Sequence, residues 1–212
     1  KPASQLMEIL WDGERLKTEI PLAGDFQASN VVCALGLAVS TGVAPDTALA
    51  AIAHLKGVAG RMENAGHTKD GAPVFVDFAH SPDGLEKLLQ GVRPHTKGRI
   101  ILVFGCGGDR DPDKRAKMGA IAARLADYVI VTDDNPRTED ASAIRAAVMA
   151  GCPDGENIGG RAVAIARGAS LLEADDCLVI AGKGHESGQI IGNDVIPFSD
   201  VEQARKALEA LA

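Results

Sequence analysis

From Pro73 to the end of the chain, short apolar segments alternate with stretches that have a helical pattern. The apolar segments are residues 74–78, 99–104, 128–131 and 177–181, and the helical patterns begin near residues 82, 112, 140, 161 and 199. Parallel strands that are buried on both faces have continuous apolar sequences, and each parallel pair needs a crossover, usually a helix. The pattern therefore predicts an α/β fold with a mostly parallel sheet and helices on both faces. Residues 190–196, which have Gly192-Asn193-Asp194 at their centre, predict an antiparallel hairpin at one edge of that sheet.

Residues 1–59 have a different pattern. Apolar and polar side chains alternate over residues 7–22 around Asp12-Gly13, which predicts a hairpin. Two helices with few charges are predicted next, over residues 26–41 and 45–55. A two-stranded hairpin is not stable alone in water, and the first residue is Lys1 rather than Met. We therefore expect residues 1–59 to be the truncated tail of a larger domain, and the chain to begin inside a longer protein.

Residues 57–71 contain four glycines and few apolar side chains. Such segments are typical of domain boundaries. The sequence therefore predicts a domain boundary within residues 57–71, in a segment that is exposed and mobile.

Composition excludes several classes of partner. The formal net charge is −7, and the chain has one Trp and one Tyr, so it offers neither a basic stripe nor an aromatic platform for nucleic acid. No apolar run reaches the length of a membrane span, and we expect no membrane partner. The four cysteines are widely spaced and lack zinc-site spacing; they are Cys33, Cys106, Cys152 and Cys177. We expect mostly buried, reduced thiols in a cytoplasmic protein.

Four predicted strands end in polar loops, over residues 77–83, 105–111, 132–137 and 182–186. The carboxyl ends of parallel strands share one edge of a sheet, where α/β proteins bind their ligands. Four loops rich in glycine and in charged side chains therefore predict one binding site at that edge.

The loop at residues 132–137 has the most informative side chains. Asp134, Asn135 and Arg137 provide carboxylate acceptors, an amide and a guanidinium fork, which together suit an amino-acid zwitterion. Pro136 stiffens the turn and favours an extended conformation at Asn135. The alternative is a turn whose side chains only satisfy the local backbone.

The other loops leave more alternatives open. Residues 105–110 lack the third glycine of a dinucleotide fingerprint, and the chain has no phosphate-binding P-loop, so these glycines are expected to let backbone and Arg110 approach an anionic ligand. His80 and His185 favour hydrogen bonding to a ligand over metal coordination. Lys183 either binds phosphate or is solvated. Arg61 is a candidate phosphate contact.

Five motifs, in this order along the chain, resemble those of the Mur ligase family, the ATP-dependent amide-forming enzymes of cell-wall precursor synthesis. The motifs are Gly60-Arg61-Met62-Glu63, Asp77-Phe78-Ala79-His80-Ser81-Pro82-Asp83, residues 104–111, Asp134-Asn135-Pro136-Arg137 and residues 182–186. The resemblance runs from about Leu22 to the C-terminus. It implies that residues 60–212 are a Rossmann-like C-terminal domain and that residues 1–59 end the central ATPase domain. The P-loop and most magnesium ligands would then lie upstream.

The resemblance also implies which residues bind which ligand. The residues expected to hold meso-diaminopimelate are Arg110, Asp134, Asn135, Pro136, Arg137, Gly182 and Glu186. The residues expected to contact ATP across the domain boundary are Asn30, Arg61, Asp77 and His80. Gln27 stands where the family usually has Asn, which leaves the detail of the nucleotide contact in doubt. Arg137 favours diaminopimelate over lysine, because the two amino acids differ by one carboxylate.

These expectations describe part of an ATP-dependent ligase that joins meso-diaminopimelate to a UDP-linked muramoyl dipeptide through an acyl phosphate. The implied cofactors are ATP and Mg²⁺. The chain would supply no catalytic residue or metal ligand, would be inactive alone, and is expected to be a monomer. The alternatives are an isolated amino-acid-binding module, the lysine-adding relative and, least favoured, a folate polyglutamate ligase.

Overall fold

The structure is a computed structural model that describes residues 4–211. Residues 1–3 and 212, which are the ends of the two predicted domains, lie outside the described residues. None of the described helices is long and apolar enough to span a membrane.

A six-stranded sheet forms the centre of the molecule. Its strands are β3 (Glu63–His67), β4 (Pro73–Asp77), β5 (Ile100–Phe104), β6 (Tyr128–Val131), β7 (Glu156–Asn157) and β8 (Cys177–Ala181). Their order is β3-β4-β8-β5-β6-β7, and every pair is parallel except β3 with β4. All residues of β4, β5 and β8 are buried, because these strands lie in the middle of the sheet between two helical layers.

Helices cover both faces of the sheet, as predicted. One face carries α3 (Pro82–Val92), α4 (Lys114–Leu125) and α5 (Ala141–Met149), and the other carries α6 (Arg161–Ser170) and α7 (Asp200–Ala210). Alternate residues of β5 enter the two cores: Leu102 and Phe104 pack on the α3 side, and Ile101 and Val103 pack on the α6 side. The period-two geometry of a strand thus divides the apolar residues between two cores.

The expectation that residues 57–71 are exposed is wrong for part of this segment, in which Gly60, Met62 and Ala65 are buried, and the mobility of the segment stays a prediction. Residues 63–67 form β3, which pairs with β4 and contains a bulge between Asn64 and Gly66. Gly66 has φ of 147°, and a Cβ there would lie 2.8 Å from a methyl group of Leu208 on α7. Backbone pairing and close packing therefore order a stretch that has almost no apolar side chains.

The predicted hairpin forms, but it is a separate sheet. Strands β9 (Gly188–Ile191) and β10 (Asp194–Pro197) pair antiparallel and do not join the central sheet, whose edges are β3 and β7. The hairpin instead bonds to Arg137: Arg137 N donates to Ile190 O at 3.1 Å, and Gly192 N donates to Arg137 O at 2.7 Å. The hairpin therefore pairs with the loop that contains Arg137, and not with an edge strand of the central sheet.

The first part of the chain contains β1 (Gln5–Trp11), β2 (Glu14–Ile20), α1 (Asp25–Ser40) and α2 (Pro45–Ala51), the last followed by a 3₁₀ turn (Ile52–His54). β1 and β2 form the expected hairpin, and its inner face packs on the two helices in a separate apolar cluster. Gly24 N donates to His95 Nε2 at 3.2 Å, and Phe26 packs against the α3 core. Leu6, Leu10 and Leu37 remain exposed. The division into domains 1–59 and 60–212 stays a prediction.

Candidate functional site

The four polar loops meet at the carboxyl edge of the sheet, where they surround a cavity of about 440 Å³. The cavity residues are Phe78, His80, Ser81, Gly105, Cys106, Gly107, Arg110, Asp111, Lys114, Asp134, Asn135, Arg137, Gly182 and Glu186. They follow β4, β5, β6 and β8, so the parallel sheet brings together residues that are more than 100 positions apart in the sequence.

Two glycines after β5 make room for the neighbouring loop. A Cβ on Gly105 would lie 2.3 Å from Thr132 O, and one on Gly108 would lie 2.0 Å from Pro136 O. Gly108 N also donates to Asn135 O at 2.9 Å. These two glycines therefore let the backbone of one loop approach the backbone of the other.

One ion pair and two further hydrogen bonds connect these two loops. Glu139 accepts from Asp109 N at 2.6 Å and from Arg115 Nη2 at 2.8 Å, and Asp109 accepts from Thr138 Oγ1 at 2.8 Å. The hydrogen bond from Arg115 lowers the pKa of Glu139. Sequence reasoning missed these residues, because their partners are 24 to 30 positions apart. The contacts hold Arg110 and Arg137 on a common framework.

Asp134 is a buried carboxylate that faces the cavity. Its side chain accepts no hydrogen bond from residues 4–211, and only its main-chain oxygen is engaged, by Gln189 Nε2 at 2.6 Å. Burial raises its pKa, although Arg161 and Lys183 act in the opposite direction. Gly182 leaves room for it: with φ of 120°, a Cβ there would lie 2.6 Å from Asp134 Oδ2. An unpaired, desolvated carboxylate of this kind is suited to a cationic ligand.

Asp134→Asn is expected to stabilise the free protein at pH 7 while it weakens binding of a cationic ligand. Because the folded state has the higher pKa, ionisation of Asp134 costs stability as pH rises above the ordinary value of 3.8. A pKa that differs by one between the folded and unfolded states corresponds to about 1.4 kcal/mol of stability. Thermal unfolding of the variant and of the unsubstituted protein at pH 7 and near pH 4 tests this prediction. The stability gained by Asp134→Asn should be smaller at the lower pH. A less stable variant at pH 7 would contradict the assignment.

Asn135, Lys183 and Glu186 form a hydrogen-bonded triangle next to Asp134. Lys183 Nζ donates to Asn135 Oδ1 and to Glu186 Oε2, both at 2.9 Å, and Asn135 Nδ2 donates to the same Glu186 oxygen at 2.9 Å. Burial alone would raise the pKa of Glu186, but the bonds from Lys183 and Asn135 outweigh it, so the pKa is lowered. Lys183 is fully buried. Neither alternative that the sequence left open for it, solvation or phosphate binding, describes this position.

Two arginines supply the cationic side of the cavity. Arg137 Nη1 donates to Gly108 O at 2.8 Å and to Asn135 O at 3.4 Å. Its Nε and Nη2 donate to none of the residues 4–211, so this edge of the guanidinium is open to a ligand. Arg110 is exposed, and its one bond within the described chain goes to Asp109 O at 3.2 Å. Pro136 does not line the cavity but shapes the loop.

The residues expected to contact ATP are divided among three places. The Cζ atom of Arg61 lies 5.2 Å from the centroid of the Phe78 ring. The ring centroids of His80 and His185 lie 4.6 and 5.1 Å from the same Phe78 centroid. Asp77 is buried, and its two oxygens accept from the backbone N–H groups of Met62 and Ala79, both at 2.8 Å. The structure therefore gives Asp77 a role in shaping the loop.

Asn30 is exposed on α1, and its amide donates to the buried Gln27 at 3.3 Å. It does not line the cavity. Within residues 4–211, no group of three or more His, Cys, Asp and Glu side chains is arranged to hold a metal ion.

Behind the cavity, Arg161 and Asp200 form a fully buried ion pair with two bonds of 2.7 Å. Arg161 also donates to Ala181 O at 2.9 Å, just before Gly182. Sequence reasoning missed this pair, since its members are 39 positions apart and begin two different helices.

Cys106 was missed as a cavity residue; burial raises the pKa of its thiol to about 11. Cys106, Cys152 and Cys177 are buried free thiols, and Cys33 is exposed, which confirms the expectation of mostly buried thiols.

Comparison with known proteins identifies the family. Residues 60–184 match the family described as "Mur ligase, glutamate ligase domain". The chain belongs to the Mur ligase family. Four of the five motifs that carried the resemblance contribute residues to the cavity of this Mur ligase chain, and the motif at residues 60–63 does not.

Two curated Mur ligase relatives are identical to this chain at more than half of the aligned positions. It is 56% identical over 207 residues to the UDP-N-acetylmuramoyl-L-alanyl-D-glutamate–2,6-diaminopimelate ligase of Agrobacterium fabrum, covering 98% of this chain and 42% of the relative. It is 54% identical over 205 residues to the ligase of the same name from Chelativorans, and the match covers 97% of this chain and 42% of that relative. The chain thus spans about two fifths of the length of these relatives.

Solved structures show the same fold. One structure of a UDP-N-acetylmuramoyl-L-alanyl-D-glutamate–2,6-diaminopimelate ligase has a TM-score of 0.74 at 35% identity, covering 97% of this chain and 42% of that chain. The folylpolyglutamate synthase of Mycobacterium tuberculosis has a TM-score of 0.62 at 24% identity, and the match covers 84% of this chain and 44% of that chain. The second likeness concerns the fold alone.

Proposed function

We propose that this chain is the amino-acid-binding part of an ATP-dependent ligase that adds meso-2,6-diaminopimelate to UDP-N-acetylmuramoyl-L-Ala-D-Glu. The observation that carries the proposal is the cavity itself. It combines the buried carboxylate of Asp134, which accepts no hydrogen bond from residues 4–211, with guanidinium edges on Arg137 and Arg110 that donate to none of those residues. Both relatives named above carry the name of this ligase, which supports the same choice.

Each ligand group finds a matching protein group in the cavity. A carboxylate can accept charge-assisted hydrogen bonds from Arg137 and Arg110. An ammonium can donate to Asp134, to Glu186 and to the Gly182 carbonyl. Asn135 adds an amide that the triangle holds in one orientation. The chain would thus position the attacking amine, and positioning alone can contribute several kcal/mol to the rate of amide formation.

We further propose that residues 60–212 form this amino-acid domain and that residues 1–59 belong to the nucleotide-binding domain. ATP, bound with Mg²⁺, would supply the phosphoryl group that activates the precursor carboxylate. Arg61 and His80 fit a role beside its phosphates, because both lie at the Phe78 ring near the cavity. The roles of Asn30 and Asp77 in nucleotide binding, the need for Mg²⁺, the cytoplasmic location and the monomeric state remain predictions from the sequence.

A calorimetric titration with meso-diaminopimelate, with L-lysine as the control ligand, tests the proposal. The two ligands share the α-amino acid group and differ by one carboxylate. We expect binding of diaminopimelate and at least tenfold weaker binding of lysine, since one charge-assisted contact is worth about 1.5–3 kcal/mol. Equal affinity for both, or binding of neither, would contradict the proposal. We expect this chain alone to bind diaminopimelate but to form no amide product when ATP and the UDP-linked muramoyl dipeptide are added.

A further inference from the structure

Lys183 has an unusual position for a charged residue. It follows a glycine whose φ is 120° and precedes one whose φ is 55°, and its side chain is 0% exposed. Burial of an ammonium group is costly unless the charge is paired and hydrogen-bonded. Lys183 does not line the cavity, so contact with a ligand does not account for the cost. Both of its hydrogen-bond acceptors, however, are cavity residues.

The bonds of Lys183 determine how Asn135 is oriented. Asn135 Oδ1 accepts from Lys183 Nζ at 2.9 Å and from Ile190 N at 3.0 Å. With two donors aimed at one end of the amide, that end must be the oxygen, and the amide nitrogen must point at Glu186. The alternative amide orientation would place N–H groups against an ammonium and a backbone N–H.

The same ammonium orients Glu186. Glu186 Oε2 accepts from both Lys183 and Asn135, whereas Oε1 accepts from none of the residues 4–211. One oxygen is therefore fixed by protein donors and the other remains available in the cavity. Fixed acceptor geometry of this kind is what a binding site needs in its supporting residues.

We propose that Lys183 is a positioning residue: it fixes Asn135 and the charged form of Glu186 so that Glu186 Oε1 receives the ammonium of the bound amino acid. This inference rests on the proposed function, because it takes an amino acid as the ligand. It assigns to Lys183 no contact with the ligand and no contact with a phosphate.

The variant Lys183→Met tests the inference, because it keeps a long apolar side chain and removes the ammonium. In the ligand-free protein, the titration of the Glu186 carboxyl can be followed by ¹³C NMR. We expect its midpoint to move to higher pH in Lys183→Met and to stay unchanged in Lys206→Met, a matched control at an exposed position of α7. An unchanged Glu186 midpoint in Lys183→Met would overturn the inference whatever the ligand does.

A double-mutant comparison then separates positioning from general stability. Lys183→Met should weaken binding of meso-diaminopimelate roughly tenfold or more when Glu186 is present. In the Glu186→Gln background, the same change should cost clearly less, since the group through which Lys183 acts has lost its charge. Equal losses in the two backgrounds would overturn the inference. Absence of binding by the unsubstituted chain would overturn the proposed function as well, and so differs from a failure of the inference alone.

Discussion

Asp200→Ala is expected to lower the free energy of unfolding by about 3–5 kcal/mol, the usual cost of removing one partner from a buried ion pair. Both side chains of the Arg161–Asp200 pair are 0% exposed and share two bonds of 2.7 Å. Without Asp200, the hydrogen bonds left to the buried guanidinium within residues 4–211 would be those to the carbonyl oxygens of Asp133 and Ala181. Urea unfolding followed by circular dichroism measures the change.

Asp154→Ala is the matched control for that experiment, because Asp154 is exposed, and its effect should stay within about 0.5 kcal/mol. Replacement of both partners, as in Arg161→Met with Asp200→Leu, should recover part of the loss, since no uncompensated charge remains. A loss below about 1 kcal/mol for Asp200→Ala would mean that Arg161 finds another partner or reaches water.

Arg137→Ala is expected to weaken binding of meso-diaminopimelate by one to two orders of magnitude, which corresponds to about 1.4–2.8 kcal/mol for a charge-assisted, bidentate contact. Gly108 O and Asn135 O hold one end of the guanidinium and leave Nε and Nη2 for the ligand. Calorimetry on this chain, or the KM for diaminopimelate in a protein with the full length of the relatives, measures the effect.

The selectivity of that loss is the decisive part of the experiment. Lysine lacks the second carboxylate, so its weak binding should change little in Arg137→Ala. Arg124→Ala, which removes a surface arginine paired with Glu86, serves as the control and should leave both affinities unchanged. Equal losses for lysine and diaminopimelate would remove Arg137 from recognition of the second carboxylate.

The central strands could be predicted from the sequence because burial on both faces leaves a continuous apolar signature. Residues 100–104 are Ile, Ile, Leu, Val and Phe, and the short length and β-branched residues of this apolar run favour a buried strand. Strand β3 has no such signature. Its sequence, Glu-Asn-Ala-Gly-His, has low strand propensity, and its conformation is set by pairing with β4 and by Leu208. Its position is a tertiary property that local patterns do not encode.

Some residues of the candidate site could likewise be predicted from the sequence, and others could not. Asp134, Asn135 and Arg137 could be proposed because they lie together in one loop after an apolar strand, and the sheet geometry fixes where such a loop lies. Lys183 could not be interpreted, because a lysine between two glycines resembles an exposed residue. Its buried state depends on Asn135, 48 positions away, and on Glu186. Buried polar networks of this type are visible only once the chain is folded.

The bond between the β9–β10 hairpin and Arg137 has a consequence for how related sequences should be compared. The main chain of Arg137 pairs with the hairpin beside Ile191, so the hairpin supports the loop that carries the guanidinium. One residue inserted or deleted within Gly188–Ile191 would change which hairpin residues meet Arg137 and would disturb that support. Every residue that lines the pocket could then be retained while the preferred amino acid changed. Hairpin length therefore belongs with residue identity when substrate preference is inferred across homologues.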